Sequence, residues 1–214
     1  MHTQLVSTWA RENGIEITAA QMDLLADFQA RVLDANTRMN LTAITDPIDF
    51  AVKHIIDSLT LLPFLPEKAS LIDIGTGAGF PGVVLRIMRE ELQVTLLDST
   101  LKRVNFLREA AQALGLPTEC IHARAEEYSR TVGNKKFDIA TARAVAALDK
   151  LAGYALPFLK KDGVFFAMKG PAPQNEIADA KTAISRHGGT VEDIHSVEIA
   201  EGLVHSIVVI RKNN

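Results

Sequence analysis

Cysteine is nearly absent from this 214-residue chain, and Cys120 is the only one. A lone thiol excludes an internal disulfide and a multi-cysteine zinc centre, and it agrees with a reducing cytoplasm. Long apolar runs are missing as well: charge interrupts each of them well before the ~20 residues that a transmembrane helix needs. The opening Met1-His2-Thr3-Gln4 lacks the basic-then-apolar order of a secretory signal, so no leader is expected. Nor is there an excess of positive charge. The 23 basic and 26 acidic residues leave a net −3, which argues against coating nucleic acid through bulk charge and leaves room for a local basic face. What is present is ordinary globular material, 47% hydrophobic and 23% charged, and this excludes disorder and collagen-like chains. At about 150 residues per domain the length corresponds to roughly 1.4 domains. One core with an accessory segment is expected, able to bury roughly 70% of the unfolded surface without staples.

From Trp9 to Leu62 the pattern is helical with no convincing strand. Thr18 and Gln21 form a capping-box pair ahead of Leu24, Leu25, Phe28, Val32 and Leu33 at helical spacing. Asp46-Pro47 starts a further helix carrying Phe50, His54, Ile55 and Leu59 to one side and ending near Pro63. After Pro66 the character changes to alternation. Short apolar runs at Leu71–Ile74, Val94–Asp98, Glu119–His122, Phe137–Ala140 and Gly163–Met168 read as strands. Segments from Val83 to Glu90, Lys102 to Leu114, Leu148 to Leu159 and Gln174 to Arg186 read as helices. This predicts a doubly wound parallel sheet. The runs Val191–Ile199 and Val204–Ile210, joined through Glu201-Gly202, predict an antiparallel hairpin at its edge. The expected division is a helical cap over residues 1–66 and an α/β domain over 67–214.

The strongest local signal is Asp73-Ile74-Gly75-Thr76-Gly77-Ala78-Gly79, between the first strand and the following helix. Glycines there permit a tight turn and let a cofactor lie against bare backbone. A dinucleotide fingerprint wants glycine or alanine at the sixth place, where Phe80 stands. A second acid, Asp98, closes the next strand and suits the hydroxyls of a ribose. An ordinary tight turn also fits the glycines. Ala125 and Glu126 fall at the carboxyl edge where an adenine would lie, although Glu126-Glu127 also suits a solvated helix start. This glycine-and-acid arrangement resembles the class I S-adenosylmethionine-dependent methyltransferases.

Further motifs occur in order along nearly the whole chain: Asn40-Leu41-Thr42-Ala43-Ile44, His54-Ile55-Ile56-Asp57-Ser58-Leu59, Phe80-Pro81-Gly82, Leu96-Leu97-Asp98-Ser99, Lys102-Arg103-Val104-Asn105-Phe106-Leu107, Thr141-Ala142-Arg143-Ala144 and Ala167-Met168-Lys169-Gly170. With the glycine loop, these resemble the RsmG (GidB) family of bacterial 16S ribosomal RNA guanine-N7 methyltransferases. The resemblance implies a Rossmann-like, mostly parallel seven-stranded sheet with a C-terminal antiparallel hairpin and an N-terminal helical extension. It implies S-adenosylmethionine as cofactor and methylation of guanine N7 in the 530-loop region. The implied partner is 16S rRNA or the small ribosomal subunit, with an assembly intermediate included, met by a cytoplasmic monomer and no membrane. Asp73, Gly75, Thr76, Gly77, Gly79, Phe80, Asp98, Ala125, Glu126 and Arg143 would form the cofactor site. Lys102, Arg103, Arg124, Arg143 and Lys169 would face RNA, with Arg143 and Lys169 positioning the substrate. Ala35, Met39 and Val84 depart from residues common in the family, none of them at the presumed chemistry.

Attack by guanine N7 on a sulfonium methyl uses a lone pair already exposed, so no general base is expected and orientation, worth up to ~7–11 kcal/mol, carries the acceleration. Other readings stay open for individual residues. Arg143 also suits an ion pair at a strand end, and Phe80 suits core packing. His54 and Asp57 could form half of a metal site, but no other ligand motif completes it; a helix hydrogen bond explains them more simply. His187, His195 and His205 are scattered around the hairpin, and Cys120 reads as inert. Three alternatives keep parts of the pattern: a methyltransferase for another RNA, a protein or a small molecule; a non-catalytic RNA- or nucleotide-binding module; and a dinucleotide oxidoreductase, opposed by Phe80 and the hairpin.

Overall fold

The computed structural model describes residues 1–131 and 133–213. Two helices open the chain, α1 (Thr3–Glu12) and α2 (Ala19–Met39). The Thr18 hydroxyl accepts from the Gln21 amide while the Gln21 side chain accepts from the Thr18 amide, so the predicted capping box starts α2. Asn40, in the left-handed region at φ 52°, ends it. Asp46 caps the next helix through the amides of Ile48 and Asp49. That helix is not uniform: α3 (Pro47–Phe50) passes into a π-helical stretch, Ala51–Ile56, and then into α4 (Asp57–Leu59).

The α/β portion follows as β1 (Ala69–Ile74), α5 (Gly82–Met88), β2 (Leu92–Asp98), α6 (Leu101–Ala113), β3 (Glu119–His122), α7 (Ala125–Tyr128), β4 (Phe137–Arg143), α8 (Leu148–Ala155), β5 (Leu159–Lys169), α9 (Gln174–Arg186), β6 (Gly189–Ala200) and β7 (Leu203–Lys212). The seven strands lie in the order β3-β2-β1-β4-β5-β7-β6. Pairing is parallel from β3 to β5 and antiparallel for β5–β7 and β7–β6. The fold class is the one expected.

Alternate residues of each central strand serve opposite cores because side chains point to opposite faces with period two. Leu71, Leu96, Phe166, Ile207 and Val209 join the core that also holds Val6, Phe28, Val32 and Ile55 from the N-terminal helices. Ile72, Leu97, Ala140, Phe165 and Val208 join the second, under α8 and α9. Strands buried on both faces read as continuous apolar runs, which is why their positions are legible in sequence.

Several boundaries differ from expectation. The helix predicted to reach Leu159 stops at Ala155 in a 3-10 turn, Leu156–Phe158, because Pro157 cannot donate to the preceding turn. β5 begins at Leu159 instead of Gly163 and absorbs the exposed Lys160-Lys161-Asp162 with a register shift against β4. The hairpin strands also run longer, because β6 is an edge strand whose outward residues are charged. The helix α1 starts upstream of the first helical residue expected, Trp9.

Candidate active site

β1 lies inside the sheet between β2 and β4, so the chain leaves it on one side and returns on the other. The crevice at such a switch point is where ligands bind in open α/β sheets. Residues 75–81 fill it. Gly77 has φ +60°, and a Cβ there would meet only the Gly75 carbonyl at 3.9 Å, so bare backbone faces open space. Gly79 is packed instead: at φ +105° its Cβ would fall 2.8 Å from Phe28 and Val83.

Asp73 holds this loop from behind. It is fully buried, and its carboxylate accepts from the Thr76 hydroxyl at 2.6 Å, the Gly82 amide at 2.8 Å and the Thr141 hydroxyl at 3.1 Å. Burial raises its pKa to about 6 against the opposing effect of those donors. Asp73 and Thr76, both expected to bind the cofactor, thus direct their polar groups at each other and fix the turn. Asp98 accepts from the Gly77 amide at 3.0 Å and from the Thr100 amide at 2.8 Å, with Arg103 3.6 Å away. Its carboxylate sits at the open glycine face.

Two cavities meet at Gly75. One, of about 310 Å³, includes Asp98, Ala125, Glu126 and Arg124 in its walls. The other, of about 580 Å³, is bounded by Gly77, Phe80, Arg143 and Lys169 from the sheet side, and by Thr42 of the loop after α2 and His54 and Asp57 of the following helix. Leu203 and His205 of β7 complete it. Volumes of this size suit a small organic ligand. The combination of bare glycine backbone, an adjoining carboxylate and space on both sides of Gly75 fits a nucleoside-bearing cofactor.

The second cavity has an internally bonded wall. Arg143 donates to Asp57 Oδ2 at 2.8 Å and to the Lys53 carbonyl at 2.5 Å, and its other terminal nitrogen faces His54 Nδ1 at 2.9 Å. Guanidinium can only donate, so Nδ1 of His54 is the acceptor and Nε2–H donates to the Thr42 hydroxyl at 2.8 Å. Burial, then Arg143, lowers the His54 pKa to about 4, so the ring stays neutral near pH 7. It stacks on Phe80 at 4.5 Å with 6° between planes, and Arg143 lies 5.6 Å from the same phenyl centroid. Phe80 is both a core residue, against Phe28 and Phe50, and a wall of the cavity.

The five basic residues expected on one RNA-facing surface separate into two groups. Lys102 is exposed, and Arg103 and Arg124 stand at the cavity rims with 40% and 68% of their side chains accessible. Arg143 and Lys169 are turned inward, Lys169 onto Glu176 at 2.7 Å and the Ala146 carbonyl at 2.9 Å. Both reach the cavity with their charges already paired. His54 and Asp57 do not bond each other along their helix; each bonds Arg143. His205, read as a scattered surface histidine, instead places Nδ1 2.8 Å from Asp57 Oδ1. No local pattern links two residues 148 positions apart.

The family described as "GidB: rRNA small subunit methyltransferase G" matches residues 21–204. The chain belongs to the GidB family. Relatives named "Ribosomal RNA small subunit methyltransferase G" agree with this. One from Clostridium botulinum (strain Alaska E43 / Type E3) is 44% identical over 208 residues, covering 95% of this chain and 87% of the relative. One from Desulforamulus reducens is 42% identical over 210 residues with the same coverages. In fold, this GidB chain is similar to a SAM-dependent methyltransferase from Aquifex aeolicus, with TM-score 0.57 and 17% identity over 86% of this chain and 98% of that one. It is similar also to M. jannaschii TYW2 in complex with AdoMet, with TM-score 0.59 and 18% identity over 79% and 77% of the two chains. No described helix of the GidB chain is long and apolar enough to cross a membrane.

Proposed function

We propose that this chain transfers the methyl group of S-adenosylmethionine to N7 of a guanine in 16S ribosomal RNA. The observation that carries the reading is the open backbone at Gly77, bonded to Asp98 and flanked by two cavities that meet at Gly75. It stands in a chain of the rRNA small subunit methyltransferase family. Asp98 would hold the ribose, Ala125 and Glu126 the adenine end, and Gly75 and Gly77 the backbone face. Gly79, Asp73 and Thr76 support that face from behind. S-adenosylmethionine, when bound, supplies an electrophilic methyl carbon on its sulfonium.

The chain's own contribution is orientation. Three of the five N–H donors of Arg143 are engaged by Lys53, Asp57 and His54, so two remain for a substrate oxygen. An arginine that bonds O6 and N7 of guanine together would occupy the nucleophile. Fixed on three sides, Arg143 can address O6 or a phosphate and leave N7 free. Lys102, Arg103 and Arg124 supply exposed charge for the RNA backbone. The helices of residues 1–66 serve as a cap, contributing Thr42, His54 and Asp57 to the wall. In this reading a cytoplasmic monomer acts on 16S rRNA or on a small-subunit particle.

The test is transfer of labelled methyl to small-subunit particles and to deproteinised 16S rRNA from cells lacking this protein, with the label mapped to base and atom. Label at one guanine N7 is the expected result. Label at another atom or RNA overturns it, as does absence of label while the cofactor binds.

A further inference from the structure

His205 differs from the other histidine of the cavity wall. Both nitrogens of His54 are engaged, by Arg143 and Thr42. His205 engages one: Nδ1 meets Asp57 Oδ1, and the other Asp57 oxygen holds Arg143. A carboxylate only accepts, so Nδ1 of His205 carries a hydrogen, and in the neutral ring Nε2 carries the lone pair. Among the described residues nothing bonds Nε2. The ring lines the cavity with 31% of its side chain accessible, while Asp57 behind it is 1% accessible. Elsewhere that wall offers mainly donors, from Arg103, Arg143, Lys53 and Lys169. The geometry is that of an acceptor aimed from a rigid base.

We propose that His205 reads the target guanine, its Nε2 accepting a hydrogen bond from the N1–H, with Asp57 fixing the ring. This rests on the guanine-N7 reading above and deepens it. Guanine carries a proton at N1 where adenine carries a lone pair, so a neutral acceptor admits one purine and opposes the other with an unpaired acceptor. N1 and N7 lie on different edges of the base, so this grip leaves the nucleophile uncovered, unlike an arginine fork on O6 and N7. Methylation at N7 leaves the purine positively charged, which makes N1–H a stronger donor. The contact therefore tightens toward the transition state, the condition for raising turnover as well as binding. No proton is transferred: the Nε2···H–N1 bond forms on docking and breaks on release.

The experiment uses the full chain with reconstituted small-subunit particles whose 16S rRNA carries either guanine or 2-aminopurine at the methylated position. The latter keeps N7 and the 2-amino group and lacks both N1–H and O6, so the Arg143 contact is lost equally from wild type and variant. Wild type and His205→Ala are compared for kcat and KM on both particles, and for S-adenosylmethionine affinity. His205→Ala should lower kcat/KM on guanine by about tenfold, the upper end for one uncharged hydrogen bond, with a share of the loss in kcat. It should flatten the guanine preference and leave cofactor affinity unchanged. Comparing the two ratios cancels the intrinsic difference between the bases. A uniform loss on both particles would mark a backbone contact or a purely structural role and overturn the proposal. So would an unchanged ratio. If wild type labels no guanine N7 at all, the functional reading itself falls, and that outcome is distinct from both.

Discussion

Replacing Asp57 with asparagine tests whether the buried wall of the cavity is held by charge. The exchange keeps the volume and removes the negative partner from Arg143, which is 17% accessible against 1% for Asp57. Breaking a buried pair by removing one member costs ~3–5 kcal/mol. Arg143 keeps the Lys53 carbonyl and His54 and has some access to water, so the low end, about 3 kcal/mol, applies. For a chain of this length ~2–4 °C of Tm accompanies each kcal/mol, giving a fall of roughly 6–12 °C. Thermal unfolding followed by circular dichroism near pH 7 measures it. The paired exchange of Asp57→Leu with Arg143→Met should recover at least half of that loss, because an apolar pair avoids the desolvated orphan charge. The control is Asp34→Asn. Its partner Arg38 is equally close, at 2.7 Å against 2.8 Å, but the two side chains are 69% and 64% accessible, and Tm should not move measurably. Equal shifts for Asp57→Asn and Asp34→Asn would refute the argument that burial gives the Asp57 pair its weight.

Asp98→Asn and Gly77→Ala should each weaken S-adenosylmethionine binding at least tenfold, read by titration calorimetry, with Gly77→Ala also lowering Tm because a Cβ at φ +60° is strained; unchanged affinity in both would remove the cofactor from the glycine face. Asp73 has a folded pKa of about 6 against 3.8, so between those values the folded chain retains a proton that the unfolded chain has lost. Its contribution is therefore fully present below about pH 4 and is lost as pH rises through 6, a change of about 3 kcal/mol. Wild-type stability relative to Asp73→Asn should fall by that order between about pH 4 and pH 7 in denaturant titrations; a flat difference refutes it. Lys102→Ala and Arg124→Ala should weaken RNA binding and reduce its salt slope by about one unit each, while cofactor affinity stays put.

The fold was legible because its signals are local. The parallel strands are apolar on both faces, the Thr18–Gln21 box and Asp46 cap announce themselves within four residues, and Gly202 marks the hairpin. What was not legible depends on proximity across the chain. Asp57 and His205 meet only because β7 inserts beside β5, and Arg143 meets Lys53 across 90 positions from the end of β4, between β1 and β5. Composition gives no hint that Lys169 pairs with Glu176 and that Lys102, among the described residues, pairs with none. The expectation of one basic face treated five charges alike, and burial divides them. The glycine motif places Asp73 and Thr76 at the cofactor loop; the Thr76 hydroxyl turns inward to Asp73 while Thr76 still lines the larger cavity, a distinction that rotamers make and spacing does not.

Segments far apart in the sequence complete the larger cavity between them, Thr42 and His54 from residues ahead of β1 and His205 from β7. Chains emerge from the ribosome N-terminus first at about 5–20 residues per second, so the glycine loop, Asp98 and β4 are all synthesised before β7. A nascent chain can therefore assemble the cofactor side of the crevice while its opposite wall is still unmade. The wall that carries His205 forms only once β7, synthesised after β1 to β5, has docked beside β5.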